Sequence, residues 1–331
     1  MRNYIIRRTL INIPVVLLVA TLVFFATNVL PGDFVAQRIA ANNPTPDGGQ
    51  EAIDAQIKKI RQDLGIDDPV PVRYVKYIGN LMRGDFGTSY QSGRSAISDF
   101  KEGAPYTIQL SLMALFVALV TSIPIGILSA IRQDSLIDYF LRFFSILFVA
   151  APNFWVATML LLYIVRGINI GPVTIGWDVP LTQHPLIWED PMGSLKLFII
   201  PAIAGGLASG AGIMRLLRSQ MLEVLRQDYI RTAWAKGMRE RVVITRHALK
   251  NALIPVLTVI GLTIAGLLSG NVVFEYLFNI PGIGNRILTA INRRDVPVVQ
   301  SFVVIIATFI VFVNLAIDVL YGLVDPRIRL S

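Results

Sequence analysis

The residues able to do chemistry in this 331-residue chain are few and poorly placed for it. There are two histidines, His184 and His247, and no cysteine. Without cysteine there is no thiolate ligand, disulfide framework or thiol nucleophile. No His-Glu-x-x-His pair is present to hold a catalytic zinc, and no Gly-x-x-x-x-Gly-Lys-Ser/Thr loop to cradle nucleotide phosphates. No catalytic or metal-binding residue is assigned, and no cofactor is expected in the chain itself. What remains are hydroxyls such as Ser209 and Ser269, and amides set in apolar stretches: Gln109, Asn153, Asn271 and Asn314. Those amides are candidates to line a polar path. Between apolar helices the same side chains also serve as packing contacts.

The elements that carry them are apolar. The chain is 54% hydrophobic and 16% charged, where soluble domains carry about 25% charged residues. Its charges cluster and leave six uncharged runs of 18 residues or more, at 9–32, 103–131, 143–165, 197–214, 251–274 and 296–317. A helix rising about 1.5 Å per residue needs roughly 20 apolar residues to cross a hydrocarbon layer of about 30 Å. Each run meets that length, the fourth only marginally, and none has the charged face that a soluble amphipathic helix keeps. Six membrane-spanning helices are predicted, in an all-α membrane fold. The first run follows Arg2, Arg7 and Arg8, exceeds a signal-peptide core in length and ends at Leu30-Pro31-Gly32 without a small-residue cleavage site, so it is expected to be retained.

Lys and Arg near the spans set the orientation. With the N-terminus in the cytoplasm, the inside segments hold sixteen of them and the two shorter outside loops five. The first outside loop is long enough to be largely exempt from the positive-inside rule. Both termini are expected to be cytoplasmic. The net charge of +8 is thereby accounted for by membrane-flanking cations that face lipid, and it does not call for nucleic acid.

The expected organisation is an N-terminal span over 1–32, an extracytoplasmic cap over 33–102 and a five-helix core over 103–331. In the cap, Ile53, Ile57, Ile60 and Leu64 recur at helical spacing and Gly65 follows as a stop. The stretch from Arg83 through Gly84, Asp85, Phe86, Gly87, Thr88 and Ser89 reads as turns. Residues 167–194, rich in Gly and Pro, are expected to be irregular. In the fourth run Gly205, Gly206, Gly210 and Gly212 sit among alanines, a composition that lets helices approach closely in lipid. Asp138, Arg142, Arg215, Glu275 and Asp318 fall near span ends, leaving the middles of the runs without the ionisable residues that ion-coupled carriers commonly place there.

The most informative segment is the basic loop 218–255. Met221, Leu222, Leu225 and Tyr229 fall on one side of a predicted helix that continues through Thr232-Ala233-Trp234-Ala235-Lys236 and stops at Gly237. Glycine accepts the left-handed conformation that ends a helix, and cations suit that end. A second helix over roughly 240–253 then leads to Pro255 and the fifth span, giving a helix-turn-helix elbow. Nine basic residues from Arg215 to Lys250 would act as lipid anchors. They do not explain small Thr232 and Ala233 one turn before an obligate bend, which would form a knob that another protein could approach closely.

The run Asp228-Tyr229-Ile230-Arg231-Thr232-Ala233-Trp234-Ala235-Lys236-Gly237, followed by Arg246-His247-Ala248-Leu249-Lys250-Asn251-Ala252-Leu253-Ile254-Pro255, resembles the signature loop of permease subunits of ATP-binding-cassette importers. It is most similar to the dipeptide/oligopeptide/nickel branch. Arg231-Thr232-Ala233 stands where the wider family has Glu-Ala-Ala, so no glutamate contact carries over. Ile5-Ile6-Arg7-Arg8, Leu30-Pro31-Gly32-Asp33, Leu64-Gly65, Arg73-Tyr74, Gly84-Asp85-Phe86-Gly87, Val273-Phe274-Glu275, Phe278, Pro281-Gly282-Ile283-Gly284, Tyr321 and Asp325-Pro326-Arg327 extend the resemblance over nearly the whole chain. The long first outside loop is like that of the B-type permease.

The resemblance implies the six-helix type I importer fold and a coupling helix formed by Asp228, Tyr229, Arg231, Thr232, Ala233, Lys236 and Gly237. It implies a C-type permease as heterodimer partner, two cytoplasmic ATPase subunits that bind ATP and Mg, and an extracytoplasmic binding protein that docks on the outside loops 33–102, 167–194 and 275–295. The implied cargo is a di- or oligopeptide, with nickel or another small solute as the alternative within the family. An ion-coupled carrier and a membrane-embedded hydrolase using Ser209 or Ser269 are the readings outside it.

Overall fold

The computed structural model describes residues 2–29, 55, 57–59, 61–62, 65–170, 173–175, 179, 182–268 and 271–324. Ile53, Ile60, Leu64, Ser269, Leu30-Pro31-Gly32-Asp33 and Asp325-Pro326-Arg327 lie outside these, as does the side chain of Asp318. Among the described residues five helices are long and apolar enough to cross a membrane, and a sixth crossing requires a bent pair to be counted as one.

The chain opens with α1, Arg2–Val29. Helical residues among 55–62 end at Gly65, which has φ +64°. Helix α2, Val70–Met82, follows, and then the long α3, Ala96–Ile131. The predicted third span is two helices, α4 Leu136–Ala150 and α5 Asn153–Arg166, bent by 100°. The bend lies at Ala151 and Pro152, both extended in ψ. Proline has no N–H to continue a helix and drives the residue before it out of the helical region. At 15 and 14 residues the two arms are about 22 and 21 Å long, so neither crosses a 30 Å layer alone.

Residues 167–194 are not wholly irregular, since Ile168–Ile170 (β1) pairs antiparallel with Val173–Ile175 (β2). Helix α6, Pro191–Leu225, extends the marginal fourth run to 35 residues. It is followed by the short α7, Asp228–Ala235. The fifth rod, α8, runs without a break through Glu240–Val242, a π-helical stretch Val243–Ala248 and Leu249–Leu268. Pro255 therefore lies inside the spanning helix rather than at its entrance, and the expected separate helix over 240–253 is the first part of that rod. The expected fifth span over 251–274 is divided, because α9, Val272–Leu277, is a separate helix. Then come α10, Ile283–Asn292, and α11, Val296–Val324.

Helices α3 and α6 form the central pair, and α1 lies against α11. Small residues allow the central contact: a Cβ added to Gly206 would lie 2.6 Å from the carbonyl oxygen of Ala114. One added to Gly210 would lie 3.0 Å from that of Ala118. Backbone approach thus accounts for Gly206 and Gly210, while a Cβ at Gly205 would meet the Phe274 ring at 3.1 Å and one at Gly212 would meet open space.

Among the described residues three apolar clusters hold the bundle, one of them joining α3, α10 and α11 through Ala96, Ile283, Ala290 and Phe302. A second joins α3, α5, α6 and α9 through Leu110, Ala157, Phe198, Phe274 and Phe278. The third joins α6, α7 and α8 through Leu217, Met221, Ile230, Ala233, Val243 and Ala248.

Candidate functional site

Helix α6 does not stop at the membrane but continues to Leu225, where the backbone N–H groups of Arg226 and Gln227 bond back to Glu223 and Val224. Gln227 is extended (φ −72°, ψ 148°) and turns the chain into α7. The single helix expected from Met221 to Lys236 is therefore broken at Arg226-Gln227. The carbonyl of Gln227 accepts from Ile230 and Arg231, and Asp228 in the first turn suits the positive end of the helix.

The far end closes as anticipated. Gly237 has φ +71°, its N–H bonds to the carbonyl of Trp234 at 2.9 Å, and that of Met238 bonds to Ala233 at 3.4 Å. This is the Schellman arrangement, which satisfies carbonyls that a helix end otherwise leaves open. Arg239 is extended and starts α8, and its carbonyl accepts from the N–H groups of Val242 and Val243.

Only one edge of α7 is buried. Ile230 and Ala233, three residues apart, pack into the cluster shared by α6 and α8. Burial of the isoleucine alone is worth about 1.5–3 kcal/mol. Asp228, Tyr229, Arg231, Thr232, Trp234, Ala235, Lys236 and Gly237 are exposed. Ala233 thus leaves the expected knob: its small side chain lets α7 sit close to the rod, and Thr232 alone of that pair faces outward. Two exposed aromatics flank Thr232, Tyr229 at 44% and Trp234 at 43%. The amide of Asn251 donates to the Tyr229 hydroxyl at 2.7 Å and to the carbonyl of His247 at 3.1 Å, fixing α7 to α8 a second time. The Arg231–Asp228 pair, 3.4 Å apart and largely solvated, adds little. Periodicity missed Trp234 and Asn251 as parts of this site, though both lie in the matched loop.

Two turns before the end of α6, Arg218 forms a two-point pair with Asp138, Nε to Oδ1 at 2.9 Å and Nη2 to Oδ2 at 2.7 Å. Asp138 is fully buried, accepts from the hydroxyl of Ser129 at 2.5 Å and from the backbone N–H of Asp134, and lies 3.3 Å from Arg142. This cluster binds α3, α4 and α6 beside the elbow. From sequence Asp138 was only a charge near a span end; its spacing of four from Arg142 was the available signal.

At the opposite end the carboxylates are also buried. Asp295 accepts from the Ser89 hydroxyl at 2.5 Å and from the backbone N–H of Tyr90 at 2.9 Å, tying the turns after α2 to the start of α11. Glu275, fully buried, accepts from Thr107 at 2.6 Å and from the N–H of Asn285 at 3.0 Å. Burial raises its carboxyl above the ordinary glutamate range, while Thr107 and the N–H groups of Asn285 and Gly284 pull it back. Within 275–295 both terminal carboxylates are consumed inside the fold, while Tyr276 and Ile291 remain exposed.

The four amides do not form one group. Gln109 is buried and committed, donating to Ser194 at 2.7 Å and accepting from the N–H of Ile187 at 2.9 Å, which removes it from any path. Asn153 is exposed at the bend, and Asn271 and Asn314 are half-buried. His184 and His247 are separated by the bundle, and among the described residues no group of three or more acidic or histidine side chains could hold a metal.

The chain is thus a multi-pass bundle of long apolar helices that carries an exposed short helix between α6 and α8. The chain belongs to the binding-protein-dependent transport system inner membrane components: residues 122–330 match that family, and 1–111 match its N-terminal region. It is a multi-pass inner-membrane permease component rather than an enzyme. It is 40% identical to the oligopeptide transport system permease protein AppB of Bacillus subtilis, over 99% of this chain and all of that one. It is 38% identical to the dipeptide transport system permease protein DppB of Alkalihalophilus pseudofirmus, with the same coverage. The DppB of Escherichia coli K12 is 36% identical over 99% of each chain.

Proposed function

We propose that the chain is the B-type permease subunit of an ATP-driven importer for di- or oligopeptides, and that α7 is its coupling helix. The observation that carries this is the division of α7 into a buried edge, Ile230 and Ala233, and an exposed face with Tyr229, Thr232 and Trp234. A helix held so is free to receive a partner and unable to move without carrying α6 and α8. The oligopeptide and dipeptide systems named for the relatives supply the cargo class.

In this reading both termini and α7 are cytoplasmic, as sixteen inside cations against five suggest. A C-type permease completes the path. Two ATPase subunits, which bind ATP and Mg, receive α7 and its counterpart. A binding protein delivers peptide at the cap end, and Asn153, Asn271 and Asn314 are the amides left to line the path.

ATPase closure would push α7, and the Asp138–Arg218 pair would pass the motion of α6 to α3 and α4. The test is reconstitution with candidate partners, scored by binding-protein-dependent ATP hydrolysis and uptake of peptides, nickel complexes and sugars. Peptide-specific stimulation is expected. Stimulation by nickel alone would reassign the cargo, and uptake without an ATPase would end the importer reading.

A further inference from the structure

Helix α2 has three distinct sides. Tyr74 and Tyr77 pack on α1, with their rings 5.4 and 5.5 Å from that of Phe24, and the Tyr74 hydroxyl lies 2.9 Å from Thr21 Oγ1. Arg73, Lys76 and Asn80 border a cavity of about 630 Å³ formed with residues 85–90 and the start of α11. The third side is apolar and open. Val75 is 69% exposed and Met82, seven residues on, 80%, with Val72 half-exposed beside them.

Scattered exposed apolar side chains are ordinary; the height of these ones is not. The apolar span of α1 runs from Ile6 to Val29. Thr21 and Phe25 lie eight and four residues before its end, about 12 and 6 Å along the axis. The contacts with Thr21, Phe24 and Phe25 therefore hold α2 at the boundary of the hydrocarbon layer rather than above it. On α1 itself Leu18, Leu22 and Phe25 also form an exposed apolar face, and Phe25 stacks on Tyr74 of α2. On the polar side of α2, Arg73 faces away from the open strip, while Lys76, one turn after Val72, borders it and pairs with Asp68 at 2.7 Å. Such an arrangement matches a helix lying in the plane of the interface.

We propose that α2 is an interfacial helix: Val72, Val75 and Met82 rest among the outer ends of the acyl chains of the leaflet at the cap end, and Arg73 and Lys76 stand at the phosphate level. The cap is then fastened to lipid as well as to α1 and α11. None of this depends on the cargo.

The chain lacks cysteine, so single nitroxide labels can be placed without background from it. Val75→Cys and Met82→Cys would be labelled in the full transporter, with cysteine-free partner subunits, in vesicles of phosphatidylethanolamine and phosphatidylglycerol. Leu22→Cys on α1 serves as the lipid reference and Ser92→Cys, in the exposed turn, as the water reference. Labels at 75 and 82 are expected to collide with oxygen in preference to a water-soluble nickel chelate, as at 22 and opposite to 92. Chelate preference at both positions would overturn the proposal. So would shielding from both reagents, which would mean that protein covers the strip. ATPase activity of each labelled assembly confirms that it is intact.

Discussion

The two ends of the bundle handle their polar groups in opposite ways. At the cap end Asp295 and Glu275 are withdrawn from solvent and tie segments up to 206 residues apart in sequence. At the elbow end α7 exposes most of its residues and is held by Ile230, Ala233 and the Asn251–Tyr229 bond. The cap end is built so that its pieces keep their relative positions. The elbow is firmly rooted and open at its tip, as a lever must be. The Asp138–Arg218 pair sits at the root and belongs structurally with the cap-end clasps: its carboxylate is fully buried and held at two points by the guanidinium.

The largest effect should come from that root. Asp138→Ala leaves the Arg218 guanidinium, 16% exposed, without its carboxylate, a change that costs about 3–5 kcal/mol in a fully buried pair and less where water reaches one partner. A marked fall in the thermal unfolding midpoint in detergent is expected, and an unchanged midpoint would remove the root from the account. Asp295→Ala should cost less, about 1–3 kcal/mol, because it strands the hydroxyl of Ser89 and the N–H of Tyr90. Its signature would be faster proteolysis within the cap, with ATPase coupling retained by the intact fraction.

At the elbow tip the order of effects should reverse. Gly237→Val meets no neighbour, since a Cβ there finds open space, but it forces a β-branched residue to φ +71°. Transport and stimulated ATP hydrolysis should fall together in an assembled complex; normal values of both would exclude the capped geometry from the mechanism. Trp234→Ala should change stability by no more than about 0.5 kcal/mol, as exposed substitutions usually do. It should nevertheless weaken ATPase coupling.

The smallest effect concerns pH. Because the folded state raises the Glu275 carboxyl, its contribution is complete below the unfolded value and declines as pH rises through the folded one. Unfolding followed across that window should show the decline in the native chain and a flatter profile in Glu275→Gln. Equal slopes would mean that this carboxyl does not control the clasp.

Spans were legible because lipid tolerates so little charge that uncharged length alone reveals them. The broken third span was not, since Pro152 sits in an uncharged run and apolar length says nothing about direction. Gly237 announced the end of α7 through its backbone freedom, whereas the break at Arg226-Gln227 involves no glycine or proline and left no mark. Glu275 read as an edge charge because its partners, Thr107 and the N–H of Asn285, become neighbours only when α3, α9 and α10 assemble. The facing of Ala233 was not legible for a related reason: composition shows that a residue is small, but the packing against α6 and α8 decides which side it faces.

The lever reading is tested most directly by cross-linking the elbow to an ATPase subunit. In the assembled transporter, Thr232→Cys should form a cross-link to the ATPase with a short bifunctional reagent, and its yield should change between the nucleotide-free and ATP-bound states. Ser92→Cys at the cap end should form none. Absence of a cross-link at 232 in both states, or a cross-link from 92 to the ATPase, would contradict the placement of α7 as the coupling helix.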